Sequence, residues 1–347
     1  MKKKTDLKSL SLPELIEVFE AIGEKKFRAN QLYSWMHQKM ILNLDEATNL
    51  SKKLIEKLKN EFDFTTVGLY TFQESMLDGT RKYLFELDDE NVVESVFMKY
   101  HHGNSVCISS QIGCRMGCSF CASTLDGLAR NLTTGEMLDQ IYAISRHTGE
   151  RISNVVIMGM GEPLDNYDNI VRFVKMISED TGLNISQRNI TVSTCGIAPM
   201  IEKLANEKFQ ITLALSLHAT TDKKRQSLMP ITNKYPIDVV LEACRYYFRT
   251  TGRRLTFEYS LVAGANDTEE DALELAALIK DFNCHVNLIP INPIKERDYK
   301  EPSTKNVRAF QNKLEKNGIN ATIRREMGRD IDGACGQLRR KHTQKSI

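Results

Sequence analysis

The chain has 347 residues, of which 41% are hydrophobic and 27% charged, and a formal net charge of +2. These proportions are those of a globular protein of about two domains. They exclude a chain basic throughout, and no apolar run approaches the roughly 18 residues of a membrane span. The opening MKKKTDLKSLSL has lysines but no apolar core or cleavage site, so a cytoplasmic location is expected, with the eight cysteines reduced. The basic residues are grouped: Lys2, Lys3 and Lys4; Lys25, Lys26 and Arg28; Arg324, Arg325 and Arg329; Arg339, Arg340 and Lys341. Such groups suit phosphates, though each would serve equally as a solvated face.

Residues 1–65 read as helices and are expected to form a small all-helical domain. Ser11 and Glu14 make a capping-box pattern. Leu12, Leu15, Ile16, Phe19 and Ile22 follow at helical spacing, and Gly23 is a stop. FRANQLYSWM and SKKLIEKLKNEF continue the pattern. Residues 66–99 change period and are expected to form a β-rich connection containing a hairpin. KYLFEL alternates after the Asp78-Gly79 turn signal, and NVVESVFMKY follows. There Glu94 shares a strand face with Val92, Val96 and Met98. The pattern alone favours an exposed edge; if buried without a cation, the carboxyl would hold its proton tightly and serve as an acid or base.

Residues 100–333 alternate β-like runs (VCISSQ, NVVIMG, NITVST, QITLALSL, LTFEYSLV, HVNLIPIN) with helical stretches such as EMLDQIYAISRH and PIDVVLEACRYYFR. Repeated βα units predict an α/β core with a parallel sheet, as a partial barrel or doubly wound. The run ends carry Ser193, Thr194, Ser216, His218 and Asn292. In barrel-type folds the site lies at that end of the strands, although loop entries are commonly polar. Residues 334–347 form a C-terminal segment with a cysteine, Cys335, in a glycine-flanked stretch and a basic tail.

After the first of these runs, CRMGCSFC places Cys114, Cys118 and Cys121 within eight residues. Close thiols in a reducing compartment point to zinc, to an iron–sulfur cluster or, less readily, to chance. Structural zinc closes its shell with four ligands, and Cys107 fits no usual zinc pairing. A [4Fe–4S] cluster held by three thiolates leaves one iron open to a ligand. Isolated Cys244 and Cys284 read as buried hydrophobes.

CRMGCSFC resembles the CxxxCxxC signature of radical S-adenosylmethionine enzymes, and GMGEP at 159–163 resembles their loop for the methionine amino group. With MGMGEPL, SLHA at 216–219, NLIPINP at 287–293 and ACGQL at 334–338, nearly the whole chain is similar to the RlmN/Cfr family of RNA methyltransferases. The resemblance implies a partial (βα)6 TIM-like barrel with a helical accessory domain that docks RNA. It implies that Cys114, Cys118 and Cys121 hold one [4Fe–4S] cluster. Gly161, Glu162, Pro163, Ser193, Ser216, Leu217, His218 and Asn292 would contact S-adenosylmethionine. Cys335 would carry the methyl group and Cys107 would resolve it, the two ending as a disulfide; Glu94 would accept the proton. Two S-adenosylmethionine molecules would be used per turnover, with electrons from a flavodoxin-like donor to a monomeric enzyme. The expected substrates are adenines of 23S rRNA and tRNA, methylated at C2. Methylation at C8, as by Cfr, is the alternative; Pro163 and the STL after Ala122 match the C2 enzymes. A zinc-binding RNA module without catalysis is the alternative of another class. Asp126 and Gly333 depart from the family pattern, in loops. Lys25, Lys26, Arg28 and Trp35 are the expected contacts of the helical domain with RNA.

Overall fold

A computed structural model describes residues 4–101, 103–292, 297–331, 336, 338–340 and 342. Cys335 and Gly333 lie outside the described residues. Three helices open the chain: α1 (Leu12–Ala21), α2 (Lys26–His37) and α3 (Lys52–Glu61). The capping box is present, with Ser11 N–H donating to Glu14 Oε2 at 2.8 Å. Gly23 takes the left-handed conformation just past the helix end (φ +84°). Their apolar stripes bury Leu15, Phe19, Leu32, Met36 and Leu58 completely.

Strands β1 (Gly68–Glu74), β2 (Arg81–Glu86) and β3 (Val92–Tyr100) form an antiparallel meander, which joins β4 (Gly103–Cys107). Two short strands, β5 (Gln111–Gly113) and β6 (Leu128–Asn131), bracket the cysteine loop. Then follow α4 (Thr134–Thr148), β7 (Ile152–Ile157), α5 (Tyr167–Ser178), β8 (Ile190–Thr194), α6 (Ala198–Asn206), β9 (Thr212–Ser216), α7 (Asp222–Leu228) and α8 (Ile237–Thr251). The chain continues as β10 (Leu255–Leu261), α9 (Glu269–Ile279), β11 (Cys284–Pro290), α10 (Thr304–Lys316) and β12 (Ala321–Ile323).

The main sheet runs β1-β2-β3-β4-β7-β8-β9-β10-β11-β12 and is parallel from β4 onward. Six parallel strands, β4 and β7 to β11, each lead into a helix, giving the expected partial (βα)6 arrangement. Because strand order never reverses, right-handed crossovers place every helix on the same side of the sheet. The strands alternate accordingly. Val192, Leu213, Leu215 and Phe257 bury apolar side chains in the main core, while Ser193, Ser216, Glu258 and Ser260 occupy the other face. Register sets Ser216 beside Glu258.

One expectation from pattern fails. β3 is not an edge: it lies between β2 and β4, and Glu94 is 3% exposed. The apolar residues on both faces of β3 record that interior place.

The helical region is fastened to the core by buried polar groups. Lys8 Nζ lies 2.8 Å from Asp139 Oδ1 on α4, with both side chains fully buried. Asp139 Oδ2 also accepts the Val67 N–H at 2.8 Å. His37 Nδ1 lies 2.8 Å from the Tyr142 hydroxyl, also on α4. No helix of the described residues is long and apolar enough to cross a membrane.

Candidate active site

A cavity of about 640 Å³ opens at the C-terminal ends of the parallel strands. The cysteine loop forms one wall. Gly113 sets its entry: φ is +77°, and a Cβ there would come within 2.0 Å of the Gly127 carbonyl. Cys114 N–H returns to that same carbonyl at 2.9 Å. Thr124 Oγ1 donates to the Cys118 and Cys121 carbonyls at 3.1 and 2.9 Å, curling the loop so that all three cysteines line the cavity. Cys118 packs with Cys195, Leu228 and Met229 in a small apolar cluster.

Burial pushes the Cys114 thiol up to about 12 and raises Cys118 and Cys121 as well. The thiols of the protein alone are therefore protonated, and loading a metal centre there would release protons. No three His, Cys, Asp or Glu side chains of the described residues converge on a single ion. Soft thiol donors in a largely dry wall suit an iron–sulfur centre, so these residues fit the group that the resemblance implies.

The glycine loop after β7 forms the opposite wall. Gly161 has φ +103°, and a Cβ would lie 2.5 Å from Gln111 Cβ, so only glycine fits. Glu162 is 4% exposed. Its Oε2 accepts the Cys195 N–H at 2.8 Å and its Oε1 the Leu164 N–H at 3.1 Å. Burial nevertheless dominates and raises its carboxyl above the ordinary range. Pro163 begins the 3-10 turn Pro163–Asn166.

Ser193, Ser216, His218 and Asn292 all line the cavity. His218 is a non-glycine residue in the left-handed region (φ +58°), held there by its surroundings. Its Nδ1 accepts the Ser260 N–H at 2.9 Å, which places the ring proton on Nε2. Burial, with Arg225 nearby, lowers the ring to about 3, so it stays neutral. Arg225, fully buried on α7, donates to the carbonyls of Cys195, Ser216 and Leu217 and ties two strand ends together. Leu217 stands apart from the other predicted residues: its side chain is fully buried in the main core and does not line the cavity.

The third wall comes from β3, β4 and residues 324–331. Cys107, at the end of β4, is a buried free thiol raised by burial. Glu94 forms a buried ion pair with Lys82 of β2, Nζ to Oε2 3.0 Å. It also accepts the N–H groups of Gly336 and Arg339, each at 2.6 Å. The carboxylate therefore holds the chain immediately after Cys335.

Glu258 and Ser260, which no motif marks, also line the cavity, as does Arg324 of the basic group at 324–329. The signal existed: in LTFEYSLV, Thr256, Glu258 and Ser260 alternate with Phe257, Tyr259 and Leu261. Of the expected RNA contacts, Lys25 and Lys26 are exposed. Trp35 instead donates to Asn49 Oδ1 at 2.6 Å, and Lys39 Nζ covers its ring at 3.4 Å. Phe27 is 47% exposed, with the Arg28 guanidinium over its ring at 4.8 Å.

Comparison with known proteins agrees with this geometry. Residues 108–279 match the radical SAM superfamily model, and residues 5–63 match the ribosomal RNA large subunit methyltransferase N-terminal domain. The chain is 62% identical to the probable dual-specificity RNA methyltransferase RlmN of Lachnospira eligens, over 97% of both chains. It is 61% identical to the protein of the same name from Lachnoclostridium phytofermentans, over 99% of this chain and 97% of that one. A crystal structure of a radical SAM methyltransferase from Sphaerobacter thermophilus superposes with a TM-score of 0.92 at 42% identity, covering 96% of this chain and 98% of that one. A cavity walled by three cysteines and a glycine loop at the strand ends of a partial (βα)6 barrel, in a chain this similar from end to end, belongs to the RlmN family of radical SAM RNA methyltransferases.

Proposed function

We propose that this protein methylates C2 of an adenine in 23S rRNA and of the adenine beside the tRNA anticodon, by way of a methylated Cys335. The observation that carries the reading is the placement of Glu94, buried, in the cavity the three cysteines line, and hydrogen-bonded to the residue after Cys335. Cys114, Cys118 and Cys121 would hold the [4Fe–4S] cluster, leaving one iron open for S-adenosylmethionine. Glu162 would face the methionine ammonium, with the Gly161 and Pro163 backbone close by. Ser193, Ser216, His218 Nε2–H and Asn292 would hold the remainder of the cofactor, with Leu217 contributing through its backbone. When bound, cluster and cofactor supply the methyl group and the radical that activates it.

The chain's own residues do the rest. Cys335 presents the methyl-bearing sulfur to the adenine. Glu94, paired through Oε2 with Lys82 at 3.0 Å, takes the proton from the ring carbon. With the methyl carbon joined to the ring, RNA and Cys335 share a sulfur–carbon bond; Cys107 attacks the Cys335 sulfur, that bond breaks with its electron pair going to the departing RNA, and cellular thiols reduce the resulting disulfide. Residues 1–65 form the RNA-docking domain, 66–99 the connection, 100–333 the catalytic core, and 334–347 the segment that bears Cys335. A flavodoxin-like reductant in the cytoplasm would supply the electrons to a monomer.

The test is anaerobic reconstitution with S-adenosylmethionine, reductant and unmethylated ribosomal and transfer RNA, followed by nucleoside mass spectrometry. We expect 2-methyladenosine from both RNAs. 8-Methyladenosine, or a colourless protein that carries one zinc and makes no product, would overturn the reading.

A further inference from the structure

The β1–β2 hairpin has a feature that the proposed chemistry leaves unused. Tight turns are usually polar. Here Met76 is 92% exposed and Leu77 71% exposed. Their backbone is nevertheless fixed. Met76 N–H donates to Asp330 Oδ2 at 2.8 Å, and Ser75 Oγ donates to Asp330 Oδ1 at 2.5 Å. Gly328 N–H donates to Asp78 Oδ2 at 3.0 Å. Within the turn, Ser75 Oγ accepts the Leu77 N–H at 3.2 Å.

The anchor is part of the site. Gly328, Arg329 and Ile331 line the cavity, on either side of Asp330. Two large apolar side chains are thus held side by side at the rim of the reaction cavity. Arg324 and Arg325 are exposed on that rim as well. Of the carboxylates nearby, Asp78 accepts from a backbone N–H, Asp330 from a hydroxyl and a backbone N–H, and Glu326 pairs with Arg329. An apolar tip beside exposed arginines matches a nucleic acid, which offers base faces to the one and phosphates to the other.

An adenine in folded RNA is stacked, and an enzyme acting on its ring must first take it out of the stack. Other nucleic-acid-binding proteins unstack bases by inserting apolar side chains such as Met and Leu between base steps. We propose that Met76 and Leu77 are such a wedge: they stack on the base neighbouring the target adenine and hold open the gap it leaves on entering the cavity. The proposal rests on the RNA-methylating function above.

The test uses the full-length chain and a tRNA transcript with 2-aminopurine in place of the adenine beside the anticodon. Binding of the wild type should raise the fluorescence as the base unstacks. The double variant Met76→Ser/Leu77→Ser, altered only at exposed positions, should keep its melting temperature and bind the transcript. It should raise the fluorescence far less, and the reconstituted enzyme should methylate the all-adenine transcript roughly tenfold more slowly or worse. Met76→Leu/Leu77→Met should behave as wild type. A serine variant equal to wild type in both readouts would overturn the wedge while leaving RNA methylation intact. A wild type that neither binds nor methylates RNA would overturn the function and the wedge together. Concentration-dependent dimers abolished by the serine variant would make the tip a self-association surface instead.

Discussion

Lys82 and Glu94 show what one buried pair does for this site. Glu94 alone on an interior strand would be an uncompensated charge; Lys82 supplies the cation, and two backbone N–H groups donate to its oxygens. Removing one partner of such a pair is costly, so Lys82→Met should lower stability by about 3–5 kcal/mol in urea denaturation. Lys82→Arg should recover part of it. Cys107→Ala should leave stability nearly unchanged but trap RNA covalently on the protein, visible as a slow-migrating band on denaturing gels; free turnover without an adduct would remove Cys107 from the resolving step. The Glu94 position was legible as a carboxylate on an apolar stripe. Its partner was not, because Lys82 meets it only through the strand register, in which Leu84 stands opposite Glu94. Short-range motifs such as the three cysteines and GMGEP carry their chemistry within a few residues, and so they could be read directly.

At the scale of elements, the contact between α2 and α4 is titratable. His37 is wholly buried, its Nε2 has no hydrogen-bond partner among the described residues, and burial lowers its ring to about 3. Unfolded, the same ring takes up a proton near its ordinary 6.5. Its neutral burial therefore contributes fully above pH 6.5. As pH falls from there toward 3, the unfolded state binds the extra proton and stability is lost, by about 1.4 kcal/mol per pH unit. His37→Asn should flatten this slope in denaturation midpoints measured between pH 6.5 and 4.5; an unchanged slope would assign the acid sensitivity to other groups. Local signals marked most helices well, as Ser11 with Glu14 and Gly23 did for α1. α10 carries a weak sequence signal, because only Val307, Phe310 and Leu314 of its thirteen residues are buried, and α6 is short. β12 has three residues and exists only by pairing with β11.

For the whole molecule, a net charge of +2 means that affinity for RNA must come from local groups. Changing Lys25, Lys26 and Arg28 together to Gln should weaken RNA binding and reduce its log–log salt slope by roughly two to three; a slope that does not move would make those helices structural. The parallel sheet was legible from the alternating runs, but its strand order was not, since the same runs suit a partial barrel or a doubly wound sheet, and the meander in front of them required long-range pairing to place. The buried tie of Lys8 to Asp139 joins the N-terminal helices to the helix that follows the cysteine loop. That tie makes the protein a ruler. On the proposed function, an RNA gripped by the helices presents to the cavity only a base at one fixed span from the grip. Two RNAs of unrelated sequence can then share one enzyme, provided each places an adenine at that distance, and lengthening the intervening stem by a base pair should abolish modification without abolishing binding.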